Sequence, residues 1–251
     1  MSASVEGWGL WAPGFPNAEA WLSRRRDELA RKPPVEIVAS RMKRATSVCT
    51  RAAVEVVTQA GRDAAWPLDS FATVFGSRHG EIQIAIEQMV MMQEDSGVVS
   101  PARFKNSVHN TASGLFSIAA QNREFTTALA AGPQTFAMAL LEATTLLATG
   151  AADRVVVAIT DEPLPAPIDS FSDHPALGVA LALAAAPSAR SRGLLAAVRS
   201  GEGPSPELPE AWGEHSAAGA LNLLRALHEG RGGSLWVGPG WVAEVAPPEA
   251  P

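Results

Sequence analysis

The chain has 251 residues, enough for one large domain with its own core. Hydrophobic residues make up 47% and charged residues 18% of it, a globular composition that excludes disorder throughout the chain. With 26 acidic and 20 basic residues the net charge is -6, which argues against nucleic acid or an anionic membrane as the main partner.

The first half of the sequence alternates predicted strands with predicted helices. The hydrophobic spacing predicts a strand and turn over 5–16, a basic helix over 17–31, a helix over 42–61, a strand over 72–76, a helix over 80–95, and a loop leading into a helix over 104–121.

The second half continues this alternation. It predicts a strand over 124–128, a helix over 132–147, a strand over 154–160, a segment over 176–186 that suits a strand or a helix, a strand over 194–199, a helix over 216–228, and two strands around Trp236 and Trp241. The pattern predicts one α/β domain over 1–251 with a mostly parallel sheet covered by helices. Residues 126–150 hold a single charge, Glu142, and we interpret them as a buried helix rather than a membrane span.

Ordinary catalytic and cofactor motifs are missing from the sequence. Cys49, the only cysteine, excludes an internal disulfide, favours a reducing cytoplasm, and is expected at mid-helix as buried packing. The five histidines are never four residues apart, as a helical metal pair would be, so no metal is predicted. No dinucleotide or phosphate-binding glycine motif indicates a cofactor, and the N-terminal residues do not have the pattern of a signal peptide.

Two polar segments follow predicted strands. Ser77, Arg78 and His79 come after the strand over 72–76, where α/β active sites tend to lie, although an ordinary polar loop is the favoured alternative. Asp161 and Glu162 end the strand over 154–160 and could serve an acid or a metal, but a solvated turn is favoured.

The most informative segment is the predicted strand, turn and helix beginning at Thr126 (TTALAAG). A thiol at such a turn would lie at a helix N-terminus, where free backbone N–H groups acidify it and stabilise an oxyanion. The tip of this turn carries Leu129 instead.

Here the sequence resembles the thiolase-fold ketosynthases. Thr127 to Gly132 (TALAAG) is similar to the family's Thr-Ala-Cys-Ser-Ser-Gly turn. The resemblance spans about 5–185 and includes four more segments: Gly7-x-Gly9 with Pro13-x-Phe15, Arg41-Met42, Ser100-Pro101-x-x-Phe104 and Asn110 to Gly114. Residues 186–251 would then be a family-specific extension.

The departures from the family pattern imply a protein without ketosynthase catalysis. Leu129 stands at the nucleophile position and cannot hold an acyl thioester. None of the five histidines lies in the Gly-Thr setting of the family's two catalytic histidines, and the chain is much shorter than a full ketosynthase. The sequence looks closest to short ketosynthase-like N-terminal proteins that act as chain-length factors in aryl polyene-type lipid or pigment synthesis.

This resemblance implies a heterodimer with an active ketosynthase. The strand over 124–128 would pair across the dimer. The acyl carrier protein would dock mainly on the partner, because both this chain and a carrier protein are acidic. Candidate interface or acyl-tunnel residues are Met89, Met91, Met92, Phe104, Ala112, Leu115, Phe116, Phe125, Thr126, Thr127, Ala128 and Leu129. For any single tunnel candidate, a plain core role is the favoured alternative.

Two alternatives from other functional classes remain open. One is an independent decarboxylase or acyl hydrolase that uses an oxyanion hole with Ser77 or His79. The other is an acyl-binding scaffold.

Overall fold

A computed structural model describes residues 2–93, 97–171, 174–204 and 206–247. The strands are β1 (Ala3–Trp11), β2 (Ala72–Gly76), β3 (Thr126–Leu129), β4 (Arg154–Asp161), β5 (Leu177–Ala184), β6 (Leu194–Ser200), β7 (Gly233–Gly238) and β8 (Trp241–Ala246). The α-helices are α1 (Ala18–Leu22), α2 (Ser40–Lys43), α3 (Val48–Asp63), α4 (Ile82–Gln93), α5 (Pro101–Phe104), α6 (Thr111–Ala120), α7 (Thr135–Ala148) and α8 (Ala218–His228). Short 3-10 helices cover Gly132–Gln134, Asp169–Phe171 and Glu210–Trp212.

The described strands form one eight-stranded sheet in the order β3-β2-β4-β5-β1-β6-β8-β7. The predicted α/β class is confirmed, but the prediction of a mostly parallel sheet is wrong for the described part. Only β2 pairs in parallel, with β3 and with β4, and the other five strand pairs are antiparallel. Among the described residues, no α-helix lies between β4 and β5 or between β5 and β6, so what is described of these connections lacks the helical crossover typical of parallel strands.

Helices cover both faces of the sheet. On one face α7 and α8 enclose a core that includes Phe136, Leu140 and Leu221, and on the other face α3 and α6 enclose a second core that includes Val56 and Phe116. The ambiguous segment over 176–186 is strand β5, which is buried along its whole length between β4 and β1.

Glycines in β1 allow α3 to pack directly on the strand backbone. A methyl group at Gly9 would lie 2.2 Å from the carbonyl oxygen of Val56, and one at Gly7 would lie 2.8 Å from that of Ala60. Any larger residue would push the helix from the sheet.

One predicted helix is shorter than expected, and another is divided into two helices. The helix over 17–31 is only α1, which Asn17 caps through its side chain and which ends at Leu22, two residues before the left-handed Arg24. The single helix over 42–61 is divided into α2 and α3, because Ser47 accepts a hydrogen bond from the Thr50 N–H and starts a new helix at Val48.

Candidate functional site

The predicted turn after β3 is present. Leu129 ends the strand, a 3-10 helix begins at Gly132, and α7 follows from Thr135. Gly132 has a φ of 55°, which favours glycine, and the Thr135 hydroxyl ties the turn together by accepting from the Ala131 N–H at 3.1 Å and donating to the Gly132 carbonyl at 2.7 Å.

Leu129 is half-buried at the end of β3. Its side chain packs against the core beneath α7, and its carbonyl accepts from the Ser77 N–H at 3.2 Å. An aliphatic side chain in this position fills space and offers no nucleophile.

A buried polar cluster lies beside this turn, where β2 and β4 end. Its centre is Asp161, which is 1% exposed. The Asp161 carboxylate accepts from the Ser77 hydroxyl at 2.6 Å, from the Arg78 and His79 N–H groups at 2.9 and 3.1 Å, and from the Ser216 hydroxyl. The interpretation of Asp161 as a solvated turn residue is therefore wrong, because these donors replace the water that a carboxylate needs.

Three histidines, His79, His174 and His215, lie around this cluster. His215 Nδ1 accepts from the Ala217 N–H at 3.0 Å, and burial lowers the pKa of His215 to about 4. The His174 ring stands edge-on to the His215 ring, with centroids 4.4 Å apart. Burial also lowers the pKa of His79.

Glu162 and Glu81 lie on the α3 side of the cluster. Glu162 is 4% exposed, which also contradicts a solvated turn, and it accepts from the Cys49 N–H at 3.1 Å. Burial, followed by repulsion from Glu81, raises the pKa of Glu162 to about 7. Burial likewise raises the pKa of Glu81, whose carboxylate accepts from the Thr50 hydroxyl at 2.5 Å.

Cys49 is the second residue of α3, so the expected mid-helix position is wrong, while its expected burial is confirmed. A helix N-terminus would ordinarily favour a thiolate. Here burial and then the negative charges of Glu81, Asp161 and Glu162 raise the pKa of the thiol well above its usual value. Burial and the raised pKa therefore both disfavour the thiolate form.

Within the described residues, the Ser77 hydroxyl is not hydrogen-bonded to a histidine that could act as its base. The Ser77 hydroxyl donates to Asp161 and accepts from the Gly80 N–H at 2.7 Å, so both of its hydrogen-bonding roles are used. His109 approaches the Ser77 carbonyl at 3.0 Å rather than the hydroxyl. Across 2–93, 97–171, 174–204 and 206–247, no cluster of three or more His, Cys, Asp or Glu residues is suited to hold a metal ion.

The candidate interface residues divide into two groups. Met89, Met92, Phe104, Phe125 and Thr126 are exposed, whereas Met91, Thr127, Ala128 and Leu129 are half-buried. Ala112, Leu115 and Phe116 are buried within the chain, as the alternative of a core role requires. Phe116 stacks on Phe71 with ring centroids 5.8 Å apart.

Exposed apolar side chains are concentrated in one region of the sequence. Eight of the ten large exposed hydrophobic side chains of the described residues lie between residues 89 and 125, and we call them together the apolar surface: Met89, Val90, Met92, Val98, Phe104, Val108, Ile118 and Phe125. Exposed apolar patches are typical of protein contact surfaces, so these residues are candidates for one.

The covered mixed sheet, the glycines of β1 and the turn at Leu129 together define a thiolase-like fold of the ketosynthase type. The fold resembles a chain of a ketosynthase (ApeO) in complex with its chain length factor (ApeC) from Xenorhabdus doucetiae, with a TM-score of 0.73 and 21% identity over 98% of this chain and 99% of that chain. It also resembles the ishigamide ketosynthase/chain length factor, with a TM-score of 0.65 and 17% identity over 91% of this chain and 73% of the other.

A third similar structure is AntDE:AntF, a type II polyketide synthase acyl-carrier protein in complex with its ketosynthase bound to the hexaketide. Its TM-score is 0.64, with 11% identity over 80% of this chain and 69% of that chain. A family model described as beta-ketoacyl synthase, N-terminal domain, matches residues 19–236, and the chain belongs to this family. No curated protein matches the chain in sequence.

The family match extends past residue 185 through β6 and α8 into β7, and β6, β8 and β7 continue the same sheet. No helix in the described part of the chain combines the length and hydrophobicity needed to span a bilayer.

Proposed function

We propose that the chain is one ketosynthase-like domain that acts as a catalytically silent, chain-length-factor-like subunit of an active beta-ketoacyl-acyl carrier protein synthase. Its pathway would be of the fatty acid or polyketide type, in particular aryl polyene synthesis in the cytoplasm. The observation that carries the proposal is the open edge of β3 beside the apolar surface.

The backbone of β3 has one side free for a partner. Thr73 N–H donates to the Phe125 carbonyl at 2.9 Å and Ser77 N–H donates to the Leu129 carbonyl at 3.2 Å, so alternate residues of this strand face β2. Because backbone groups alternate in direction along a strand, those of Thr126 and Ala128 point away from β2. β3 is the first strand of the sheet order, and that side has no strand neighbour among the described residues. An open edge of this kind is a template for pairing with another chain.

Part of the apolar surface lies beside β3. Phe125 directly precedes β3, and α6, which carries Ile118, packs against β3. A partner that covers both regions would bury a contact of the size of obligate interfaces, on the order of 2,000 Å². Met89 and Met92 are 58% and 52% exposed, and their flexible side chains would suit the end of an acyl tunnel in the partner.

The test is to co-express the tagged chain with a full-length ketosynthase encoded beside it and to follow the pair by size-exclusion chromatography. We expect a stable 1:1 complex that condenses acyl thioesters, while the chain alone shows no condensation. A wild-type chain that runs as a well-behaved monomer and leaves every such ketosynthase unbound would falsify the proposal.

The independent enzyme and the acyl-binding scaffold each predict a different result for the isolated chain. Decarboxylation or hydrolysis of an acyl thioester by the isolated chain would favour an independent enzyme, although the Ser77 hydroxyl is already engaged by Asp161. Acyl binding without catalysis or pairing would favour a scaffold.

A further inference from the structure

A second candidate site lies between the α1 turn and the segment that leads into α8. It is a groove of about 980 Å³, lined by Phe15, Trp21 and Trp212 together with arginines 24, 26 and 225. This volume is at the upper end of the range for small-molecule sites. None of the residues that line the groove belongs to β3 or to the apolar surface.

Aromatic rings form the apolar wall of this groove. The centroid of the Trp212 ring lies 6.1 Å from that of Phe15, nearly edge-on, and 6.4 Å from that of Trp21. Trp212 is only 7% exposed, yet its indole N–H has no acceptor in the described part of the chain. The indole nitrogen itself is buried beneath the surface, so this wall presents a flat apolar face to the groove.

The charges at the groove leave an excess of positive charge. Arg225 is paired with Glu229 at 2.9 Å and lies 4.0 Å from Glu207, so both acidic side chains that line the groove already face a cation. Arg24 and Arg26 form no ion pair within the described residues. An anionic group of a ligand would therefore find two uncommitted guanidinium groups.

The backbone at Arg24 holds this residue at the groove in an unfavourable conformation. Arg24 N–H bonds to the Trp21 carbonyl and Arg25 N–H to the Ala20 carbonyl, which is the Schellman pattern that ends helices. The residue at the position of Arg24 is usually glycine, because its φ of 55° is left-handed. An arginine here reduces stability and places a guanidinium group beside the aromatic wall.

We propose that this groove binds a small aromatic carboxylate. The flat ring would lie among Phe15, Trp21 and Trp212, and the carboxylate would lie at Arg24 and Arg26. This site is separate from the proposed pairing surface, so neither proposal depends on the other.

The test uses 2-naphthoate as the probe and its neutral analogue 2-naphthamide as the chemical control, with binding measured by isothermal titration calorimetry on the full chain. We expect 2-naphthoate to bind and 2-naphthamide to bind at least about tenfold more weakly, since charge-assisted hydrogen bonds are lost. Arg24→Gly should weaken 2-naphthoate binding about tenfold while raising the melting temperature by about 2–4 °C, because glycine suits the left-handed φ.

Ala65→Gly is the matched control. Ala65 ends α3 in the same Schellman pattern, has a φ of 56°, and does not line the groove. This variant should gain stability and keep full 2-naphthoate affinity. Trp21→Ala removes part of the aromatic wall, and it should also weaken binding. The proposal is overturned if 2-naphthoate does not bind at millimolar concentration, if the amide binds equally well, or if Arg24→Gly leaves affinity unchanged.

Discussion

At the residue scale, the main feature is a pair of neighbouring acids in different environments. The Asp161 carboxylate is surrounded by donors from Ser77, Arg78, His79 and Ser216. One oxygen of Glu162 has no hydrogen-bond partner in the described part of the chain. Because burial without enough donors penalises the charged form, the pKa of Glu162 rises to about 7.

This raised pKa predicts how Glu162→Gln changes the dependence of stability on pH. The unfolded carboxyl ionises near pH 4.5 and the folded one near 7, so between these values the folded state binds more protons. The free energy of unfolding contributed by this group consequently falls as pH rises from 4.5 to 7 and stays low above that. We expect Glu162→Gln to be more stable than wild type at pH 8, by up to about 3 kcal/mol, and nearly equal to it below pH 4.5.

Urea unfolding of both proteins at a series of pH values measures this difference. The difference between the two curves is needed because His215 has the opposite effect: its pKa is lowered to about 4, so its contribution to stability is lost as pH falls below 6.5. A constant difference from pH 4 to pH 8 would contradict the prediction for Glu162.

The same cluster predicts that the isolated chain is chemically silent toward acyl thioesters. Cys49 is the only cysteine, it is buried, and its pKa is raised by burial and by nearby carboxylates. After incubation with an acyl-carrier thioester, intact-mass analysis should show no adduct, and a thiol reagent should label Cys49 only after denaturation. Leu129→Cys should not by itself give condensation, because no histidine of this chain lies in the sequence setting of the family's two catalytic histidines. A stoichiometric acyl adduct on wild type would refute the silent-subunit proposal.

At the element scale, local sequence signals predicted most strands but not their pairing. The bounds of β2 and most of β4 follow from short apolar runs bordered by glycine or charge. β5 pairs antiparallel with β4 and with β1. If the segment over 176–186 is a strand, the sequence predicts no helix between 160 and 194, which already favours antiparallel neighbours there over parallel ones. The Asp161 cluster joins residues that are 84 and 55 positions apart in the chain, so no local motif could reveal it.

The direction of the β3 backbone predicts which proline substitution breaks partner pairing. Ala128 has its N–H on the open side of the strand, whereas Thr127 faces β2. Ala128→Pro should remove a donor to the partner while leaving the β2 ladder intact, so it should fold but fail to co-purify with the ketosynthase. Thr127→Pro should instead weaken the bonding of β3 to β2 and lower the melting temperature. Size-exclusion chromatography measures partner binding, and thermal unfolding measures the melting temperature. Full retention of the partner by a folded Ala128→Pro chain would argue against β3 as the pairing edge.

At the scale of the whole molecule, exposed apolar area is distributed unevenly. The two large exposed hydrophobic side chains outside the apolar surface, among the described residues, are Leu29 at 89% and Phe171 at 79% exposure. Scattered residues of this kind are normal in soluble proteins, whereas a concentrated group signals a contact. Leu29, which is exposed but lies outside the apolar surface, therefore provides a matched control for substitutions in that surface.

A charge placed inside the apolar surface should weaken partner binding, whereas a charge placed outside it should not. Phe104→Asp with Ile118→Asp changes side chains that are 55% and 65% exposed, so neither leaves a cavity in the core. We expect the double variant to fold and to self-associate less than wild type when alone. It should also bind the ketosynthase at least about a hundredfold more weakly, because two desolvated carboxylates would be unpaired in the contact. Leu29→Asp should keep wild-type affinity despite its greater exposure. Light scattering coupled to size exclusion, with and without the ketosynthase, measures both properties. If the double variant and Leu29→Asp pair equally well, the ketosynthase does not use the apolar surface.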